Sequence, residues 1–138
     1  MKISICGSIT HHKEMREAQK RLLSFGHVVL VPDSLDLIEQ KGFKKPETVE
    51  ERLAAEANYN FIGEHFQKIA ASDGVFVVNV IKNGVEGYVG GNTFLEMGLA
   101  FYLQKKIFLL NPIPKVSYEL ELHAMHPIVV YNDYSIVV

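Results

Sequence analysis

The residue best suited to chemistry in this sequence is Glu96, the single carboxylate in the otherwise apolar run Phe94-Leu95-Glu96-Met97-Gly98-Leu99-Ala100-Phe101-Tyr102-Leu103. A helix that is apolar around its circumference is expected to be buried, between a sheet and a neighbouring helix or in a subunit interface. An ionised carboxylate there is costly unless it is paired or solvated by a cleft. Gly90-Gly91-Asn92-Thr93 lies just before it. Free backbone N–H groups and the positive end of the helix dipole would therefore face the same crevice. Anion donors beside a carboxylate on the first turn make a site for a charged sugar phosphate. Two readings remain open at this point. Thr93-Phe94-Leu95-Glu96 also fits a capping box, in which Glu96 serves only the Thr93 backbone N–H. The doubled glycine favours the functional reading, because a plain cap needs no such close backbone approach.

The elements that must position Glu96 are legible as apolar strands alternating with helical stretches. Residues 3–6 form a short strand stopped by Gly7 and Ser8. Met15, Ala18, Leu22 and Phe25 recur at helical spacing over 14–25, with Gly26 as the C-cap. A second strand covers 28–31, and residues 33–46 are irregular, with a small basic cluster around Gly42 and Phe43. One long helix is expected over 47–71, with Ala54, Ala57, Phe61, Ile62, His65, Phe66 and Ile69 on one face. The nearly all-apolar run 74–81 reads as a central strand buried on both faces. A loop leads into the Glu96 helix over 92–104. Strand 106–110, a short helix over 117–124 and strand 128–131 complete the pattern.

This alternation predicts an α/β fold, a flavodoxin/Rossmann-like three-layer sandwich on a five-stranded parallel sheet in the order 2-1-3-4-5. That order sets the carboxyl ends of strands 1 and 3 side by side at the topological switch point. The loops after Cys6 and after Ile81 should then share one crevice.

Composition limits what the crevice can serve. At 138 residues, one domain over 1–138 is expected. With 14 Lys+Arg against 16 Asp+Glu there is no basic stripe for a nucleic-acid polymer, so a small molecule is the expected partner. One cysteine cannot form an internal disulfide. The longest apolar runs, 75–78 and 107–110, fall far short of a membrane span, and MKISICGS lacks the apolar stretch of a signal peptide. The expectation is a cytoplasmic protein without membrane contact. The adjacent His11 and His12 do not share a helix face, so that pair makes no metal site. Asp73 reads as a structural cap and Cys6 as a small hydrophobe within a strand.

The segment Gly91-Asn92-Thr93-Phe94-Leu95-Glu96-Met97-Gly98-Leu99-Ala100 resembles the G-T-x-x-E-x-G-x-A segment of the nucleoside 2-deoxyribosyltransferase superfamily. Cys6-Gly7-Ser8-Ile9 is similar to the first phosphate-side loop of its hydrolase branch, the 2'-deoxynucleoside 5'-phosphate N-hydrolases. Ser72-Asp73 matches at the junction before strand 3. The resemblance implies cleavage or transfer of an N-glycosidic bond, with no metal or redox cofactor and with Glu96 in the nucleophile position. The chain departs from the family at Ser4, where a Tyr is usual, at His65, where a second acid is usual, and at Gly90, where Asp or Ser is common.

On this resemblance, Glu96 attacks C1' or stabilises the oxocarbenium-like transition state. His65 serves as the acid or positions the base, or is an ordinary buried histidine. Tyr88 stacks on the base or supplies a hydroxyl, or is surface packing. Asn79 and Lys82, at the end of strand 3, bind sugar hydroxyls or phosphate, or Lys82 is an ordinary solvated loop lysine. Gly7, Ser8 and Ile9 line the phosphate side, facing Gly90, Gly91 and Asn92. A rival reading is a nucleotide-binding sensor or accessory module without turnover, motivated by Ser4, His65 and Gly90. The apolar 94–103 helix and its neighbour predict a homo-oligomer, a dimer.

Overall fold

In the computed structural model, which describes residues 1–138, the sheet is built as the alternation predicts. Its strands are β1 (Lys2–Gly7), β2 (Val28–Leu30), β3 (Gly74–Val78), β4 (Lys106–Leu109) and β5 (Ile128–Val129). All pairings are parallel, in the order β2-β1-β3-β4-β5. Helix α1 (His12–Ser24) packs on one face, where Ile3 and Ile5 meet Met15, Ala18 and Leu22. Helices α4 (Phe61–Ala70), α5 (Gly91–Tyr102) and α6 (Glu119–Ala124) cover the other face with Ile69, Met97, Ala100 and Leu122. Side chains alternate along a strand, so Ile3 and Ile5 point to α1 while Ser4 and Cys6 point to α4 and α5. No helix is long and apolar enough to cross a membrane.

Several expectations are corrected. The helix expected over 47–71 is two: α3 (Val49–Tyr59) and α4, broken at Asn60. Asn60 takes the left-handed conformation (φ 50°, ψ 50°), which Asn tolerates better than most residues. Its side chain accepts the Gly63 N–H and so caps α4. Thr48 and Glu51 close a capping box at the start of α3. As a result α3 buries none of its residues, and Ala54 and Ala57 are exposed rather than in the core.

The stretch 33–46 is not wholly irregular. It opens with α2 (Asp33–Ile38), which is tied to α1 through Arg16 with Asp36 and Glu39. Lys68 of α4 holds its other end by bonding Asp33 Oδ1 and the Val31 carbonyl. Finally, α5 is not buried all round. Thr93, Met97 and Ala100 are inside, but Leu95, Phe101 and Tyr102 are 52%, 51% and 81% exposed.

Strand β3 is buried along its whole length but ends at Val78 rather than Ile81. The chain then turns back through a Lys82–Val85 bridge, with Asn83 and Gly84 at positive φ. Asp73 sits at the far edge of the sheet, where Oδ2 accepts the Lys2 N–H. It is a structural contact, as its position predicts.

Candidate active site

The carboxyl ends of β1 and β3 open onto a cavity of about 480 Å³, a volume suited to a small-molecule ligand. The loop after β1 and the loop after β3 both line it, through Gly7, Ser8, Ile9 and Lys82. The cavity therefore lies at the switch point of the sheet. Of the residues expected from the sequence, Glu96, His65, Tyr88, Gly7, Ser8, Ile9, Lys82, Gly90, Gly91 and Asn92 all line this cavity.

Helix α5 enters it through Gly90, whose extended backbone (φ −82°, ψ 178°) is the N-cap, with no side chain capping the helix. The first turn thus keeps its N–H donors for a ligand. Glu96 lies beyond that turn. With Gly90 as the cap, Glu96 is too far along the helix to act as the acid of a capping box. Gly90 has a second role: a Cβ there would press on the Tyr88 ring at 3.2 Å. Its missing side chain lets Tyr88 lie against the helix entrance.

Glu96 is 13% exposed at its side chain. Burial raises its pKa to about 7, and a hydrogen bond with Cys6 opposes the rise. Next to it is His65 of α4, 3% exposed, with Nε2 at 4.0 Å from Glu96 Oε2. His65 Nε2 is also 3.7 Å from Cys6 Sγ. Burial, and then the charge of Lys68, lower the His65 pKa to about 4. The imidazole is thus neutral near pH 7. Cys6 is a buried member of the core on this face, as expected, and strand alternation also sets its thiol beside His65 and Glu96. Burial, and then the charge of Glu96, push its thiol pKa well up.

The other side of the cavity is cationic. Lys82 Nζ donates to Ser8 Oγ at 2.9 Å and lies 5.6 Å from the centre of the Tyr88 ring. Lys45 Nζ donates to Thr10 Oγ1 at 2.8 Å. Burial lowers the Lys82 pKa, and the charges of Lys45 and Arg52 add to the effect. Three cations that repel one another across a cavity form a place for an anion. Phe43, Phe61 and Ile62 supply apolar wall. The other cavity carboxylate, Glu56, already accepts the Ile62 N–H at 2.8 Å.

Asn79 is the exception among the expected residues. It is fully buried and does not line the cavity. Its amide donates to the carbonyls of Gly87, Asn111 and Pro112 and accepts the Asn111 N–H. Those bonds leave it nothing to offer a substrate. It ties the loop after β3 to the turn after β4, a role reinforced at Gly87, where a Cβ would collide with the Pro112 carbonyl. Ser4, on the same face of β1 as Cys6, does not reach the cavity either: it is buried and paired with Ser72 Oγ at 2.8 Å.

Sequence reasoning missed Arg52, Lys45, Phe43 and Phe61 on the cavity wall, and the place of Cys6 beside His65 and Glu96. The alternation of β1 was the available signal for Cys6, and the basic cluster around Phe43 had been visible without a role.

No family model matches the chain, and no curated protein matches it. Among solved structures, it is similar to a 2-deoxyribosyltransferase from the psychrotolerant bacterium Bacillus psychrosaccharolyticus. Identity is 20% and the TM-score 0.48, over 79% of this chain and 71% of that one.

Proposed function

We propose that the protein cleaves or transfers the N-glycosidic bond of a nucleoside or nucleoside 5'-phosphate, with Glu96 acting at C1'. The observation that carries this reading is Glu96 itself: it reaches the cavity with only a thiol and a neutral imidazole beside it. A carboxylate held near neutrality by burial is poised to react and is not committed to a structural partner. It attacks C1', or stabilises the oxocarbenium-like transition state, as the base departs. Water then completes hydrolysis, or a second base completes transfer. His65, being neutral, positions Glu96 instead of protonating the leaving base. Tyr88 offers a ring face to the base, beside the Lys82 ammonium.

The cationic side formed by Lys45, Arg52 and Lys82 takes the 5'-phosphate together with the free N–H groups of α5. The exposed α5 face with Leu95, Phe101 and Tyr102 is assigned to a homodimer contact. Light scattering at micromolar concentration reports it, and a monomer would refute it.

A panel of nucleosides and their 5'-monophosphates, assayed for free base, tests the activity. Release of base is expected, with the monophosphates preferred. Lys82→Met should raise KM for a monophosphate by about tenfold or more and leave the matching nucleoside nearly unaffected, since a charge-assisted hydrogen bond contributes about 1.5–3 kcal/mol. Calorimetric binding of a nucleotide with no base released after prolonged incubation would favour the module without turnover. The loss of a strand-1 hydroxyl to the Ser4–Ser72 pair is the feature that speaks for that second reading.

A further inference from the structure

Cys6, His65 and Glu96 come from β1, α4 and α5 and converge at one place, His65 and Glu96 lining the cavity and Cys6 buried directly behind them. Cys6 Sγ to His65 Nε2 is 3.7 Å, and His65 Nε2 to Glu96 Oε2 is 4.0 Å. One donor atom from each residue lies within 4.8 Å of the other two. A tetrahedral zinc ion with ordinary bond lengths to sulfur, nitrogen and oxygen keeps its donors about 3.4–3.6 Å apart. The Cys6–His65 separation is thus close to a bound geometry, and the Glu96 carboxylate would rotate toward both to close the other two.

The donor types agree with this. A thiolate discriminates against magnesium and calcium, while thiolate, imidazole and carboxylate together suit a borderline-soft dication. Two anionic donors would cancel the charge of the ion, which is what a buried site requires. The other ring nitrogen of His65, Nδ1, makes no close hydrogen bond, and the Ile5 backbone is the group that acts on the ring from β1. The cavity side supplies the open fourth position, for water.

We propose that Cys6, His65 and Glu96 form a binding site for a zinc-class divalent cation, and that an ion held there withdraws Glu96 from sugar chemistry. Binding stands on the donor set alone, whereas the inhibition rests on the function proposed for Glu96. Binding displaces the thiol proton, and the carboxyl proton where present, into solvent.

Cobalt(II) is the probe, added to the full-length chain after dialysis against a chelator. The expected result is one equivalent bound, with a near-ultraviolet thiolate-to-cobalt charge-transfer band and intense visible bands of a tetrahedral ion, both bleached by zinc. Cys6→Ser should remove the near-ultraviolet band and weaken binding by more than the roughly 10–100-fold that loss of an outer partner costs. His65→Gln serves if that variant does not fold: the thiolate band persists while affinity falls and the visible bands shift. No bands at excess cobalt, or an unchanged spectrum in both variants, would overturn the site.

In a parallel measurement, base release should fall in step with zinc occupancy and return on adding chelator. Release unaffected or increased at full occupancy would overturn the inhibition. If no substrate of the panel releases base, the function proposed above fails while the spectra still decide the metal site.

Discussion

Glu96→Gln is expected to lower base release by a factor on the order of 10³ or more and at the same time to make the folded chain more stable. The two effects have one origin. Burial raises the carboxyl pKa from 4.5 to about 7, so between those values the folded chain holds a proton that the unfolded chain has released. Stability from this group is fully present below the unfolded pKa and is lost as pH rises through the folded one. Above about pH 7 the wild-type chain carries an ionised carboxylate against its burial, at a cost of about 3 kcal/mol. Glutamine fills the same space without a charge and removes that cost. Chemical denaturation of both proteins on either side of neutrality, alongside the base-release assay, checks the pair of effects. A carboxylate that merely capped its own helix would give the opposite result, with stability lost and catalysis nearly kept.

Asn79→Ala should behave in the reverse manner. The side chain is fully buried, and its loss leaves the Asn111 N–H and several carbonyls without partners in the interior. Each buried polar group stranded in this way costs about 1–3 kcal/mol. A loss of about 3 kcal/mol overall is therefore expected in a denaturant titration. The fraction that remains folded should keep the wild-type KM, because Asn79 touches the cavity nowhere. A KM that rises while stability is unchanged would return Asn79 to the substrate site.

These two residues also mark what a linear sequence discloses. The sheet order was readable because buried strands write themselves as apolar runs, and 74–78 is one of the plainest. Glu96 was readable for the same reason inverted: a lone charge in an apolar helix stands out against its neighbours. Asn79 misled because its position at the end of β3 is the right one for a ligand contact. Only the path of residues 87–112, set by tertiary contacts, shows what it bonds. The helix break at Asn60 had a local signal in the Asn60–Gly63 spacing, hidden by apolar residues that continue on both sides. Arg52, Phe43 and Lys45 line the cavity, and the ion pairs from Arg16 and Lys68 to α2 and the residue after it are equally long-range, which no periodicity reports. The His65 environment was equally nonlocal, since its neutral state depends on burial under elements distant in sequence.

The most direct test of the central claim is the rate of base release under subsaturating substrate, followed from acid to mildly alkaline pH. If the ionised Glu96 performs the chemistry, kcat/KM should climb tenfold per pH unit and level off above about 7. His65, which titrates only near 4, should add no second inflection near neutrality. A rate that is flat through that range, that falls as pH rises, or that keeps the same profile in Glu96→Gln would contradict the account.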